Sequence, residues 1–219
     1  MIWLFHKVDL KAPTPQWVTV DFFLKKMREI QNRGLVVVPL SKYRDPLREV
    51  VLTFDGVYEN IYWYAFPILK KYNYPFELFV TGKFSGQLND FDWPEPETRF
   101  ADWIQLKEMA KSGGVLEYHS WSHRDLVRIL DEAELEREIY PPFPAAFFAY
   151  PYGRFNQRVK TIVSKYYQGA VSVYDGDNSP FELIREPVWD KSALLFPATI
   201  TGRIWRKLLR VFWRRPASR

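Results

Sequence analysis

Two of the three histidines in the chain, His119 and His123, lie four positions apart in the segment YHSWSH. They follow the apolar run VLEY, so we expect them where a strand turns toward a helix. Two imidazoles at this spacing can converge on one divalent cation. The alternative is a surface pair with no ligand role, because the same spacing also occurs by chance.

A lone carboxylate follows another apolar run. Asp55 comes directly after VVLTF at residues 50–54 and is followed by Gly56. Ligands of α/β folds bind beyond the carboxyl ends of the strands, so we expect Asp55 to lie across from the two histidines. A carboxylate in this place can accept a proton from a water molecule that attacks a substrate. Together these residue types favour metal-assisted hydrolysis.

The elements that would carry these residues alternate along the chain. Strand-like apolar runs occur at 2–5, 35–40, 50–54, 76–82, 115–120, 145–153 and 170–174, and helical patterns occur at 19–33, 60–72, 102–111, 131–139 and 156–166. This alternation predicts six to seven βα units in a parallel sheet or barrel. The loop at 88–100, rich in proline and acidic residues, is predicted to be a long insertion beside the active face that could act as a lid.

Length and composition fit one domain with an uneven charge. The chain has 219 residues and a net charge of +5, but the tail at 201–219 contains seven basic residues and no acidic residue. The rest of the chain is slightly acidic, which argues against a nucleic-acid-binding surface spread over the domain. There are no cysteines, so neither disulfides nor a thiolate metal site can form, and the chain fits a reducing compartment.

The two ends of the sequence bear on its location. The opening MIWLFHKVDLK is too short and too soon charged for a signal peptide or a membrane span, so we expect a cytoplasmic protein. In the tail, Ile204, Leu208, Val211 and Phe212 have near-helical spacing among basic residues. Such a helix could lie on an anionic membrane surface, at the inner side of the membrane. We favour a helix packed on the domain with its basic end solvated, because the stretch has few apolar residues.

Three segments resemble a known family. The segments LTFDGVYENIYWYAFPILKKY, YHSWSH and FAYPYGRFN are similar, in the same order, to successive motifs of the polysaccharide deacetylases, the NodB-homology domains of carbohydrate esterase family four. The similarity extends over residues from about 3 to 190. It implies a distorted (β/α)7 barrel as a single domain at residues 1–200, followed by a basic tail at 201–219. It also implies a hydrolase that removes N-acetyl groups from an amino sugar of a glycan or glycan precursor.

The resemblance also implies roles for particular residues. Asp55 corresponds to the general base, and His119 and His123 correspond to the ligands of a divalent metal, most plausibly zinc. The backbone N–H of Tyr152, in the turn YPYG, would stabilise the oxyanion, although this segment could be an ordinary turn. Arg185 lies in a segment where a basic side chain supports the catalytic carboxylate, and the alternative for it is a surface salt bridge.

The chain departs from the family pattern at two places. Gly56 stands where an ungapped alignment puts the second, metal-binding Asp of TFDDG, and a gapped alignment lacks that carboxylate too. Asp55 could fill the vacancy as a ligand, but it would then not be free to act as a base. The late histidine that serves the family as general acid is also missing, because no histidine follows His123. His6 corresponds to an N-terminal family histidine, which we interpret as a core residue.

Two functions therefore compete. The first is a metal-dependent deacetylase whose partner is an N-acetylated glycan or glycan precursor. The second is a catalytically degenerate protein with the same fold that binds a glycan without hydrolysing it. Trp121, Asp177 and Asn178 are further candidates for lining a glycan groove. Nucleic acid is not expected as a partner, because the basic residues are concentrated in the tail.

Overall fold

The computed structural model describes residues 1–89 and 95–190. The strands are β1 (Ile2–Phe5), β2 (Lys7–Asp9), β3 (Trp17–Thr19), β4 (Val36–Val37), β5 (Glu49–Gly56), β6 (Phe76–Val80), β7 (Gly114–Tyr118), β8 (Phe147–Ala149), β9 (Gly169–Ser172), β10 (Leu183–Ile184) and β11 (Glu186–Pro187). The helices are α1 (Val20–Asn32), α2 (Phe66–Tyr72), α3 (Trp103–Lys111), α4 (Glu132–Ile139) and α5 (Gln157–Tyr166), and a π-helical turn at Ile61–Ala65 leads into α2.

The main sheet is parallel and curls into a nearly closed barrel. Its strand order is β10-β9-β8-β7-β6-β5-β1-β11, and β4 pairs with the start of β5. The two outermost strands, β10 and β11, are consecutive in sequence and are separated only by Arg185. The segment 183–187 thus pairs with β9 on one side and with β1 on the other. It spans the gap between the two ends of the sheet, and the α/β barrel predicted from the sequence is confirmed.

The helices form where local signals and an apolar face agree. Helix α1 begins after Thr19, whose side chain accepts a hydrogen bond from the Phe22 N–H, and it buries Phe23, Met27 and Ile30. Helix α3 begins with a capping box between Asp102 and Gln105. These apolar faces pack on the outer side of the strands, in a layer shared with the outward-facing residues of β1 and β5.

The barrel interior has its own small core. Its buried members are Ile2, Leu40, Val51, Phe79, Phe147, Ala149 and Val171. Two carboxylic acids, Glu77 and Glu117, are also buried there, on the face opposite to the helices. Glu77 accepts a hydrogen bond from the Leu40 N–H at 2.6 Å. Glu117 accepts bonds from the N–H groups of Ala146 and Phe147 at 2.8 and 2.5 Å.

Two predicted strands are much shorter in the structure. Of the run at 35–40 only Val36–Val37 form a strand, and of the run at 145–153 only Phe147–Ala149 do. Prolines explain both boundaries, since Pro39 and Pro151 cannot donate to a sheet and each begins or precedes a 3₁₀ turn. The sequence patterns also did not predict the separate two-stranded sheet of β2 and β3.

Two sequence predictions lie outside the described residues. These are the domain boundary at residue 200 and the tail helix with its possible membrane contact. Within residues 1–89 and 95–190, no helix is long and apolar enough to cross a membrane.

Candidate active site

A buried ion pair lies at the carboxyl end of β5. Both guanidinium Nη atoms of Arg185 donate to the carboxylate of Asp55, at 2.5 and 2.6 Å, and the two residues are 1% and 4% exposed. Arg185 lies between β10 and β11, where the last strand segment crosses the open side of the barrel. Its guanidinium also lies over the ring of Phe79, 5.3 Å from the centroid. This buried position excludes the surface salt bridge considered for Arg185.

The ion pair determines the charge of the carboxylate. Burial alone would raise the pKa of Asp55, but the positive charge and hydrogen bonds of Arg185, with a smaller effect from His119, hold this pKa well below its usual range. Asp55 is therefore ionised at every pH at which the protein would work, and both of its oxygens are oriented by the planar guanidinium.

His119 follows β7 and faces Asp55. Its Nδ1 lies 2.7 Å from the carbonyl oxygen of Ala149. A carbonyl only accepts, so Nδ1 carries the proton and Nε2 keeps its lone pair. That Nε2 is 3.6 Å from Oδ2 of Asp55. Burial lowers the pKa of His119 despite the nearby carboxylate, so the imidazole is neutral at pH 7 and two lone-pair atoms face each other.

His123 lies beside His119 on the connection after β7. The centroids of the two rings are 4.8 Å apart, and the Tyr152 ring lies at the same distance on the other side of His123. Burial and the proximity of His119 lower the pKa of His123 well below its usual value. The backbone of this turn is strained, with φ of +66° at Ser120 and +58° at His123. Such strain often persists where a site needs a particular side-chain direction.

Tyr152 lies in a tight turn, as the segment YPYG predicts. Its φ is +59° and that of Gly153 is +65°. A Cβ atom at Gly153 would come within 3.1 to 3.3 Å of Val173, so the turn depends on a glycine there. The Tyr152 ring lines the cavity beside His123. The role of its backbone N–H toward an oxyanion stays a prediction.

These groups surround a cavity of about 70 Å³ at the mouth of the barrel. The cavity is far smaller than the roughly 300–1,000 Å³ of sites that enclose a drug-sized ligand. It has room for a small substituent of a substrate rather than for a whole sugar. All three histidines of the chain line it, as do Asp55, Gly56 and Tyr152. Residues that the sequence did not single out also contribute to the lining: Leu4, Gln16, Tyr150, Val173, Tyr174, Pro187 and Trp189.

His6 lies at this cavity, so its interpretation as a core histidine is wrong. It directly follows β1, and Phe5 of β1 pairs with Phe54 of β5. His6 follows Phe5 and Asp55 follows Phe54, so the same register places His6 and Asp55 side by side. A signal was present in the sequence, because His6 follows an apolar run just as Asp55 and His119 do.

The backbone and surroundings of Gly56 leave little space for a side chain at the position of the missing carboxylate. Gly56 has a φ of +80°, a conformation that favours glycine. A Cβ atom there would lie 3.0 Å from the ring of Tyr58 and 3.1 Å from the ring of Phe100. These two rings are stacked with centroids 4.3 Å apart. Val57 follows with φ of +56°, which is unusual for a β-branched residue and marks further strain.

The three remaining groove candidates do not line the cavity. None of Trp121, Asp177 and Asn178 belongs to its lining. Asp177 and Asn178 are exposed, and their side chains accept hydrogen bonds from the N–H groups of Ser179 and Ile184. They stabilise the turn before β10. Trp121 is 45% exposed on the loop between the two site histidines.

The donor atoms fit a divalent cation by their chemistry. His119 has its Nδ1–H fixed on a backbone carbonyl, which is the arrangement that orients histidine ligands of metals. The lone pair of its Nε2 and that of Asp55 Oδ2 face each other, and a cation between them would relieve their repulsion. In the part of the chain that the structure describes, however, no group of three or more His, Cys, Asp or Glu side chains is already arranged to hold a metal ion. Binding a cation therefore requires side-chain adjustment, because Asp55 is engaged by Arg185.

Comparisons with solved structures agree with the fold. The chain is similar to the deacetylase PplD of Streptococcus pyogenes, with a TM-score of 0.72 and 22% identity over 86% of this chain and 91% of that one. It is also similar to IcaB of Ammonifex degensii, with a TM-score of 0.69 and 20% identity over 88% of this chain and 92% of that one. At these identities the likeness shows the fold.

Sequence comparisons give the family. One relative is the poly-β-1,6-N-acetyl-D-glucosamine N-deacetylase of Escherichia coli strain K12, which is 34% identical over 140 residues, or 54% of this chain and 20% of the relative. The chain spans less than half the length of the curated relatives it matches. Residues 42–169, more than half of the chain, match the sequence model of the polysaccharide deacetylases. With its barrel and its motif residues gathered at one cavity, the chain belongs to the polysaccharide deacetylase family.

Proposed function

We propose that the protein is a metal-dependent hydrolase that removes N-acetyl groups from an amino sugar of a glycan or glycan precursor. One observation carries the proposal: an ionised, oriented carboxylate faces a neutral histidine in a cavity lined by all three histidines of the chain. The cavity is of a size to take the acetamide group, while the sugar would stay outside.

Asp55 is the proposed proton acceptor and His119 and His123 are the proposed metal ligands. When bound, a divalent cation, for which zinc is the proposed metal, would polarise the acetamide carbonyl and lower the pKa of the attacking water. This assistance matters because a carboxylate with a depressed pKa is a weak base. Arg185 keeps Asp55 ionised and fixes the direction of its oxygens.

The reaction also needs a proton for the departing amine and a hydrogen-bond donor for the oxyanion. His6 is the proposed general acid, because it lines the cavity next to Asp55 and imidazole is the side chain most often used to transfer protons. It would protonate the amine as the C–N bond breaks. The Tyr152 N–H is the proposed oxyanion donor, a contribution of roughly 3 to 4 kcal/mol in comparable sites.

The test is acetate release from N-acetylglucosamine oligomers, with added zinc or cobalt. Both β-1,4-linked and β-1,6-linked oligomers belong in the panel, because the E. coli relative is named for the β-1,6-linked polymer. We expect His119→Ala to lower the rate by at least about a hundredfold. The matched control is Arg33→Ala, a change in an exposed ion pair at the end of α1. The proposal is wrong if no oligomer releases acetate and no metal is retained at micromolar concentration.

Gly56 favours a second candidate, a degenerate protein that binds a glycan without hydrolysing it. The test compares Gly56→Asp with Gly56→Ala. Both variants should lose stability, because φ at this position is positive and Tyr58 and Phe100 are close. Only Gly56→Asp adds a carboxylate. If metal affinity and acetate release arise in that variant and are missing from the natural protein, the second candidate is correct. If the natural protein is active and Gly56→Asp is not, it is wrong.

A further inference from the structure

A buried glutamate binds the histidine loop, residues 119–123, which begins and ends with a site histidine. Glu138 lies in the last turn of α4 and is 5% exposed. Its carboxylate accepts hydrogen bonds from the N–H and the hydroxyl of Ser122, at 2.9 and 2.5 Å. Its backbone carbonyl accepts a third bond, from the Trp121 N–H at 2.9 Å. Glu138 thus holds two of the three residues that separate the histidines.

The position of this carboxylate on α4 is unfavourable by itself. The C-terminus of a helix carries a partial negative charge, so an acidic residue in the last turn is repelled there. Burial adds a further cost unless the carboxylate is hydrogen-bonded. The last four carbonyl groups of a helix also lack partners within the helix. The bonds from Ser122 and Trp121 offset these costs, so the position of Glu138 is explained by its contacts with the histidine loop.

The histidine loop needs this restraint because its backbone is strained at two positions. The φ angles are +66° at Ser120 and +58° at His123. A residue other than glycine in this region costs roughly 1 to 3 kcal/mol and persists only where its surroundings fix it. The His123 N–H donates to the Ser120 hydroxyl at 2.9 Å, and Glu138 holds the two residues between them. The backbone conformation that directs His123 to the cavity is therefore maintained in part by Glu138.

We propose that Glu138 is a positioning residue for the metal site: through Ser122 it keeps the histidine loop in the conformation that presents His119 and His123 to the cavity. The inference rests on the proposed function, because it concerns how that same site binds its cation. A site that lacks the carboxylate at Gly56 depends more on the order of its remaining ligands before binding. Glu138 does not line the cavity, and it takes no part in the reaction itself.

The experiment measures the dissociation constant for cobalt(II) from the visible absorption of the bound ion. We expect Glu138→Ala to weaken cobalt binding about 10- to 100-fold, as the loss of groups that orient metal ligands does, and to change the absorption bands, which report ligand geometry. Glu138→Gln should recover part of the affinity, because its amide oxygen can still accept one bond from Ser122. Ser122→Ala should also weaken binding, and combining it with Glu138→Ala should cause no further loss.

The matched control is Glu134→Ala, one turn earlier on α4. Glu134 also reaches the neighbourhood of His123, since it pairs with Arg124 at 2.5 Å, but these two side chains are 38% and 49% exposed. An exposed pair contributes little, so this variant should keep the cobalt affinity of the natural protein within about twofold. Circular dichroism checks that each variant is folded. If Glu138→Ala does not fold, Ser122→Ala decides, because it removes one hydroxyl and leaves α4 intact.

The inference is overturned if the natural protein binds cobalt and the deciding variant binds it equally tightly. It is also overturned if Glu134→Ala weakens binding as much as Glu138→Ala. Failure of the proposed function looks different, because the natural protein would then bind cobalt and release no acetate, and the affinities would still decide the inference. A natural protein that binds no metal overturns both proposals.

Discussion

At the scale of single residues, the ion pair of Asp55 and Arg185 controls the charge of the site. Arg185 lies in a position where water cannot replace it, since its side chain is fully buried and that of Asp55 is 5% exposed. A buried pair of this kind adds little net stability compared with apolar residues, but removal of one partner leaves the other charge buried alone. Arg185 therefore contributes both to the stability of the fold and to the charge of the proposed catalytic carboxylate.

Arg185→Met should lower the free energy of unfolding by about 3 to 5 kcal/mol at neutral pH. The loss should be smaller near pH 4.5, because the unpaired Asp55 can then bind a proton. In the natural protein the pKa of Asp55 is depressed, so its contribution to stability is present above the unfolded pKa and is lost as the pH falls toward the folded value. Urea unfolding at the two pH values measures this.

The control for this prediction is Arg33→Met, which removes a 3.1 Å ion pair between two exposed side chains, Glu29 on α1 and Arg33 directly after it. It should change the free energy of unfolding by less than about 1 kcal/mol. Equal losses for Arg185→Met and Arg33→Met, or a loss that does not depend on pH, would contradict the assignment of the buried pair.

Sequence reasoning placed some of the site residues at the cavity and misplaced others for physical reasons. Asp55, His119 and His123 follow long apolar runs, and the edge of a parallel sheet brings such residues together. The burial of Arg185 could not be predicted from composition, because it depends on how 183–187 crosses the barrel. The left-handed backbone at Gly56 could not be predicted either, since a glycine adopts several conformations equally well.

At the scale of elements, the insertion between β6 and α3 is anchored rather than free in its described part. Glu95 accepts hydrogen bonds from the Thr14 hydroxyl at 2.8 Å and the Trp17 indole at 2.9 Å, and it pairs with Lys7 at 3.5 Å. The Lys7 side chain is fully buried, with its ammonium 4.2 Å from the centroid of the Tyr58 ring. Glu95 thus joins the insertion to the β2–β3 sheet beside the cavity.

Glu95→Gln should lower the free energy of unfolding by about 1 to 3 kcal/mol. Glutamine keeps the shape and can still accept from Thr14 and Trp17, but it removes the negative charge that Glu95 places 3.5 Å from the buried Lys7 ammonium. Glu97→Gln, at an exposed position of the same insertion, is the control and should change stability by less than about 0.5 kcal/mol. Guanidinium unfolding of both variants measures the difference, and equal effects would show that the charge of Glu95 is unimportant.

The predicted helices and the longer strands are confirmed because apolar periodicity sets them over many residues. Helices α1, α3, α4 and α5 begin and end within one residue of the predicted bounds. Strands β2, β3, β10 and β11 were missed, since segments of two or three residues carry too little periodicity. Their pairing is decided by tertiary contacts.

At the scale of the whole molecule, the described residues of the barrel interior include more acidic than basic side chains: Asp55, Glu77 and Glu117 against Arg185. Burial raises the pKa of Glu77 to about 7, and burial with the nearby Glu77 raises that of Glu117 to about 8. Each of these carboxyl groups accepts backbone N–H bonds, which partly oppose the shift. At low pH both are neutral, and the charged pair that the described residues place there, Asp55 and Arg185, is balanced.

Above the range in which the lowered pKa values of His119 and His123 have the opposite effect, stability should therefore decline as the pH rises through about 7 to about 8. The folded protein keeps protons on Glu77 and Glu117 that the unfolded chain has released, so a higher pH favours unfolding. The double variant Glu77→Gln and Glu117→Gln should flatten this decline, while Glu132→Gln on the exposed start of α4 should not. Thermal unfolding between pH 7 and 8.5 measures the slopes. A double variant with the slope of the natural protein would contradict the prediction.

The crossing segment 183–187 has a consequence for how the protein forms during synthesis. Arg185 follows Asp55 by 130 residues, and a ribosome adds about 5–20 residues per second, so the guanidinium emerges on the order of ten seconds after the carboxylate. Until then β1 has no partner on its outer side and the nascent barrel cannot enclose its acidic residue. The proposed catalytic base is thus among the last parts of the described chain to reach its folded surroundings.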